Sequence, residues 1–168
     1  EGAPIGGAQV CAAASSGLLG ANEKRWPRCS RSEVDGYYRL GDLFGVRQRV
    51  SAGAIGYLPA DYSRLVAGVR RRAIDLRPGG AAHDVDIVLE AGGVEVRGLV
   101  LDLNGRPIAG AWVTSGGVEQ GNGVVAAQTD ASGAYALWVR PGAVTVTAQA
   151  PGHVPGASSG RSEGHAFT

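Results

Sequence analysis

Apolar and polar residues alternate with a period of two along several short stretches of the chain, the period that sends successive side chains to opposite faces of a β-strand. Val94-Glu95-Val96-Arg97 and Val144-Thr145-Val146-Thr147-Ala148 show it most plainly, the second with β-branched residues. In a third stretch Tyr135, Leu137 and Val139 fall on one face, and Ala134, Ala136 and Trp138 on the other. The same counting turns Val113 towards a core and Trp112 away from it. Turn-forming residues punctuate these runs at Asn104-Gly105, Asp130-Ala131-Ser132-Gly133 and Pro141-Gly142. Many short strands so punctuated predict an all-β sandwich. One stretch departs from the pattern. Tyr62, Leu65, Val66, Val69, Ala73 and Leu76 fit a helical stripe, but Gly68 interrupts it and Ala73-Ile74-Asp75-Leu76 alternates again. A loop or single helical turn followed by a strand is expected there.

The same landmarks occur twice. Gly2-Ala3-Pro4-Ile5-Gly6-Gly7-Ala8-Gln9-Val10 matches Gly105-Arg106-Pro107-Ile108-Ala109-Gly110-Ala111-Trp112-Val113 at six of nine positions, at an offset of 103. The Gly-x-Tyr-x-Leu skeleton of Gly36, Tyr38 and Leu40 returns at Gly133, Tyr135 and Leu137, an offset of 97. Gly56-Tyr57-Leu58-Pro59 stands opposite Gly152-His153-Val154-Pro155, an offset of 96. Three landmarks in one order predict two related units, with the differing offsets absorbed in loops. Their expected bounds are residues 1–91 and 92–168.

Composition narrows the function classes. Gly supplies 28 and Pro 8 of the 168 residues, too many for a helical bundle and without collagen's period. With 44% apolar and 18% charged residues the chain can bury a core. A net charge of +1 argues against a nucleic-acid footprint or a polybasic membrane anchor, and no apolar run reaches bilayer length. Lys24 is the single lysine beside 15 arginines, the bias of a GC-rich genome.

These motifs together resemble the carboxypeptidase regulatory-like domain family, whose fold is a small transthyretin-like (prealbumin-like) β-sandwich. The second unit carries the resemblance best, through Val96 to Asp102, Asn104 to Val113, Thr129 to Leu137 and Pro151-Gly152-His153. Tyr57 keeps the tyrosine that the family usually has where His153 stands. The resemblance implies two tandem sandwiches and specifies a fold more than an activity, because each motif has a structural reason. Gly105 and Gly133 supply turns needing positive φ, Pro107 fixes an entry angle, and Tyr135 with Leu137 fills the core. The family's strand order places a first strand of unit one before Glu1 and has a closing strand, like Asp84 to Leu89, only starting at Gly164 to Thr168. The sequence is therefore read as an excerpt of a tandem array, with strand exchange between subunits as the alternative; either way strands are expected to be borrowed from neighbours.

Candidate chemistry is sparse. The C-terminal Tyr-Arg-Gly-Ser motif of a hydrolase with this fold, a Gly-x-Ser-x-Gly elbow and a His-Glu-x-x-His helix are all absent. Alternation puts His83 and Val85 on one face and Asp84 and Asp86 on the other, which is no metal triad, and Asp130 reads as a turn cap before a calcium ligand. Lys24 lies off the core strands, which disfavours the Lys–Asn cross-link of some cell-surface relatives. Cys11 follows Pro4 on one strand and Cys29 precedes the Gly36 hairpin, so adjacent strands and a disulfide are predicted. The bridge would hold a loop bearing Arg25, Trp26 and Arg28. Exposed Trp112 and Trp138, with that loop, are the candidate ligand or partner surface. No catalytic residue, metal or cofactor is expected. The sequence reads as a non-catalytic structural or interaction module of a secreted or cell-surface bacterial protein, partnered through strand pairing with neighbouring domains or subunits. An accessory carbohydrate-binding module of a larger hydrolase or peptidase, with a polysaccharide ligand, is the alternative; nucleic acid and membrane insertion are not expected.

Overall fold

A computed structural model describes residues 2–14, 27–43, 45–116 and 125–162. Its elements are strands. In chain order these are β1 (Gln9–Ala14), β2 (Arg28–Arg31), β3 (Arg47–Gly53), β4 (Tyr57–Leu58), β5 (Ala60–Asp61), β6 (Arg64–Val66), β7 (Val69–Arg71), β8 (Ile74–Asp75) and β9 (Glu90–Ala91), followed by β10 (Val94–Leu99), β11 (Trp112–Gly116), β12 (Val125–Gln128), β13 (Ala134–Val139), β14 (Gly142–Gln149) and β15 (Gly156–Ser162). All the pairings are antiparallel. Among the described residues no helix is long and apolar enough to cross a membrane.

The later strands form a two-layer sandwich. One sheet runs β12-β11-β14-β15 and the other pairs β10 with β13. Alternation directs Val113, Val144 and Val146 from the first sheet, and Val96, Leu137 and Val139 from the second, into one buried cluster. Val113 is fully enclosed, as its place in the period-two pattern requires. The earlier strands repeat the first of these sheets: β2-β1-β3-β5 has the same order as β12-β11-β14-β15, with β8 prolonging the edge of β3 beside β5. Its core is Val10, Ala12, Val50, Ala52 and Tyr62, flanked by half-buried Tyr38, Leu40, Leu43, Val85, Ile87 and Leu89.

Two sequence expectations are corrected. Residues 64–71 are neither a loop nor a helical turn but a hairpin of β6 and β7, closed by Ala67 (φ 48°) and Gly68 (φ 79°). Two consecutive left-handed residues form the primed turn that matches strand twist, so the glycine that broke the helical stripe is the turn itself. The second half of that expectation holds, since β8 follows. Asp84 to Leu89 is not a strand: Val85, Ile87 and Leu89 keep the alternation and pack on the core, yet among the described residues no backbone ladder reaches them. Alternation records which side chains seek the core; a strand also needs a neighbour whose amides face it.

Candidate functional site

The residues that shape both halves are hydrogen-bonding turn residues. In the second half the Thr129 hydroxyl accepts from Ala111 N–H at 2.9 Å and donates to Ile108 O at 2.7 Å. Thr129 N–H donates to Ala111 O, and Gly110 N–H to Thr129 O, each at 3.0 Å. Ser32 repeats the set in the first half. Its hydroxyl accepts from Ala8 N–H at 2.9 Å and donates to Ile5 O at 2.7 Å, while Ser32 N–H reaches Ala8 O and Gly7 N–H reaches Ser32 O at 2.9 Å each. One hydroxyl thus satisfies two backbone groups at the entry of β1 or β11, where the strand leaves the Gly-x-Pro turn. Ser32 and Thr129 stand four residues before the Gly-x-Tyr-x-Leu tyrosine-side tripeptide begins at Gly36 and Gly133, and the shared hydroxyl was the available but subtle signal. Thr129→Val keeps the shape and removes both bonds. It is expected to lower stability by about 1–3 kcal/mol, since Ala111 N–H and Ile108 O lose their partner; chemical denaturation checks this.

The turn after each clamp is also repeated. Gly36 (φ 80°) and Gly133 (φ 77°) occupy the left-handed region, and their N–H groups donate to Glu33 O at 2.9 Å and Asp130 O at 3.0 Å. Pro4 and Pro107 pack against them, a Cβ on either glycine standing 3.0 Å from the proline Cβ. Asp130 caps its turn as the sequence predicted, accepting from Ser132 N–H at 2.8 Å, Ser132 Oγ–H at 2.7 Å and Ala134 N–H at 3.0 Å. The Ser132 hydroxyl foremost, then the amides, hold its pKa below the ordinary carboxylate range. Arg106, chiefly through its backbone N–H, does the same to Asp102 in the Asn104-Gly105 turn. A depressed folded pKa gives stability that is complete above about pH 4 and is lost as pH falls through the folded value. Asp130→Asn is therefore expected to flatten the acid limb of a melting-temperature profile below about pH 4; an unchanged limb would place the acid sensitivity elsewhere.

Four arginines pair with carboxylates. Arg47 pairs Asp75 at 2.8 Å, Arg49 pairs Asp61 at 2.7 Å, Arg97 pairs Glu95 at 2.9 Å and Arg106 pairs Asp102 at 2.8 Å. Among the described residues no group of three His, Cys, Asp or Glu side chains converges as a metal site would. Burial, then Asp86 and Tyr62, pushes the Tyr38 hydroxyl up to about 12, so it stays protonated and donates to Val85 O at 2.6 Å.

Cys11 and Cys29 are disulfide-bonded, directly opposite one another where β1 pairs β2. Of the proposed surface residues, Arg28 lies exposed at the start of β2, and Arg25 and Trp26 lie outside the described residues. Trp112 and Trp138 are both half-buried. Trp138 donates its indole N–H to Gly92 O at 2.6 Å, while Gly92 N–H donates to Gly56 O at 2.8 Å. The ring therefore ties β13 to the turn between β9 and β10. Trp112 instead lines an open cleft of about 630 Å³ between β1/β2 and β11–β13, with Gln9, Ser30, Arg31, Gln128 and Tyr135 among its walls. The Ser30 hydroxyl there is buried and without a partner among the described residues.

Residues 95–162, which hold β11 to β15, the Thr129 clamp and all but the first residue of β10, match the carboxypeptidase regulatory-like domain. That segment is similar to a carboxypeptidase regulatory-like domain. No curated protein matches the chain in sequence. Among solved structures, a streptococcal ancillary pilin aligns with 95% of this chain and 55% of its own, at 14% identity and a TM-score of 0.28. This chain thus spans little more than half of that one. Within the matched segment Gly105 and Pro107 shape the entry to β11, Thr129 closes it, Gly133 turns the chain into β13, and Tyr135 and Leu137 lie on that strand.

Proposed function

We propose that the chain is a pair of tandem regulatory-like sandwiches, residues 1–91 and 92–168, acting as a non-catalytic structural and interaction module in a secreted or cell-surface protein. The observation that carries the pairing is the Ser32/Thr129 clamp, whose four hydrogen bonds recur atom for atom at offsets of 103 and 97. The disulfide supports an oxidising compartment. The use of Asp102 and Asp130 to hold turns supports a scaffold over a reaction centre, and the sheet edges offer backbone groups for assembly with neighbouring domains or subunits. Light scattering over a wide concentration range, alone and with candidate neighbouring domains, tests it. Association through the sheet edges is expected; a chain that stays monomeric in every mixture would contradict the reading.

A second reading, an accessory carbohydrate-binding module, draws on the cleft. Trp112 offers an apolar ring face, and Gln9, Gln128 and the unpartnered Ser30 hydroxyl offer hydrogen bonds of the kind a sugar takes. A glycan array separates the two: binding lost in Trp112→Ala supports the sugar site, and no binding by the parent chain removes it.

A further inference from the structure

The β6–β7 hairpin lies outside both buried cores. Among the described residues its strands pair only with each other, and every residue from 63 to 72 is exposed. Leu65, Val66 and Val69 leave 67%, 42% and 61% of their surface in water. Beside them stand Arg64, Arg70, Arg71 and Arg72, with no acidic residue between Tyr62 and Ile74. The overall charge of +1 averages this cluster away. Among the described residues none of the four arginines pairs with a carboxylate. Arg70 reaches the Ser63 hydroxyl at 3.5 Å, and Asp75, whose carboxylate also feels the Arg71 charge, is already held by Arg47. Register sets Arg64 directly opposite Arg71 on one face, where the like charges repel, and Leu65 opposite Arg70 on the other. A lone two-stranded hairpin is marginal in water, and this one holds apolar side chains and unneutralised charges outward.

We propose that the β6–β7 hairpin is an interfacial anchor whose partner is the surface of an anionic phospholipid bilayer, with Leu65, Val66 and Val69 entering the outer acyl region and the arginines at the phosphates. Charge complementarity and the distribution of residues around the hairpin select this partner. Val66 and Val69 lie on one face of the tip and Leu65 on the other, and each face also carries arginine. A groove on an acidic protein covers one face of a hairpin, whereas a bilayer interface surrounds it. Depth agrees as well. Two residues separate Val66 from Arg64 and Val69 from Arg71, about 7 Å at the rise of an antiparallel strand, within the roughly 5–10 Å to which interfacial segments bury their apolar side. Arg70, one step from the tip, reaches the same level by laying its aliphatic stem along the apolar surface. Guanidinium groups take phosphate oxygens in pairs, which also relieves the repulsion between Arg64 and Arg71. Strands of three residues are too short to cross the bilayer, so the contact is with one leaflet. The anchor is independent of the assembly reading, which stands or falls on other surfaces.

The test floats the full disulfide-bonded chain with vesicles of equal parts phosphatidylglycerol and phosphatidylcholine at about 0.1 M salt, and repeats it with phosphatidylcholine alone. Binding to the anionic vesicles is expected, and weak binding to the neutral ones. Arg64→Gln with Arg71→Gln should lower the partition coefficient about 25-fold, roughly fivefold for each charge removed. Val66→Ser with Val69→Ser should lower it about tenfold or more. All four side chains are exposed, and unchanged melting of the variants confirms that their folds survive. Amide exchange in the parent chain gives a readout that needs no variant: residues 64–71 should slow about tenfold or more on anionic vesicles. No binding to those vesicles overturns the anchor, as does binding that leaves 64–71 exchanging freely or ignores the arginine substitutions. Full binding by the two-serine variant overturns entry of the tip. Capture of the chain by soluble polyglutamate, lost with Arg64→Gln and Arg71→Gln while vesicles bind nothing, overturns the choice of partner in favour of an acidic polypeptide.

Discussion

Leu137→Ala is expected to destabilise the regulatory-like domain by about 3–4 kcal/mol, and Leu40→Ala the first half by about half as much. The two leucines share a place in the Gly-x-Tyr-x-Leu motif, so chemistry and local backbone are held constant. Surroundings differ. Leu137 is 2% exposed, enclosed by Val96, Val113, Val139, Val144 and Val146, all buried, and its truncation leaves a cavity in a core contributed by both sheets. Leu40 packs on Val10, Ala12, Val50, Ala52 and Tyr62 but keeps part of its surface in water, so less transfer free energy is lost and water can enter the space. Denaturant titrations of the two variants check the ratio. Equal losses would mean that the first half closes over Leu40 as fully as β10 closes over Leu137.

Replacing both Cys11 and Cys29 by serine is expected to cost the first half about 3 kcal/mol, on the entropy of an unfolded chain released from a loop of this length. For a unit of this size that corresponds to a fall in melting temperature of roughly 12–24 °C. β2 is a four-residue strand at the end of its sheet, paired among the described residues only with β1, and the cysteines face each other in the middle of that pairing. An edge strand this short has little holding it once the cross-link is gone. Residues 28–31 should then lose amide protection before β1 and β3 do, while the regulatory-like domain, which has no cysteine, keeps its own transition. Calorimetry reads both effects, and a loss confined to the second half would refute the assignment.

Much of this architecture was legible in the sequence, and the exceptions share a cause. The alternation of Val94 to Arg97, of Ala134 to Val139 and of Val144 to Ala148 marked β10, β13 and β14, because each buries one face and exposes the other. The repeated glycines and prolines marked turns because their backbone demands are local. Cys11 and Cys29 were placed on adjacent strands by the same landmarks. What escaped depends on neighbours distant in the chain. Asp84 to Leu89 has the alternation of a strand and no strand to pair with. Trp138 counted as an outward-facing ring, and it is, but Gly92 O of the junction lies within reach of its indole. The Trp112 cleft needed β1 and β2 across from β12, and the Ser32/Thr129 clamp needed a hydroxyl to reach two backbone atoms between 18 and 27 residues away. Ala67 hid the β6–β7 turn, since alanine seldom takes a left-handed conformation.

The central claim is that one sandwich plan, with one hydroxyl clamp, is built twice. Native-state hydrogen exchange on the full chain tests it most directly, read at Ala8 and Ala111, whose buried amides donate to Ser32 and Thr129. Both amides are expected to be protected, and each to lose its protection when its own clamp is removed by Ser32→Ala or Thr129→Val, leaving the other unchanged. An Ala8 amide that exchanges like a surface loop while Ala111 stays protected would contradict the claim.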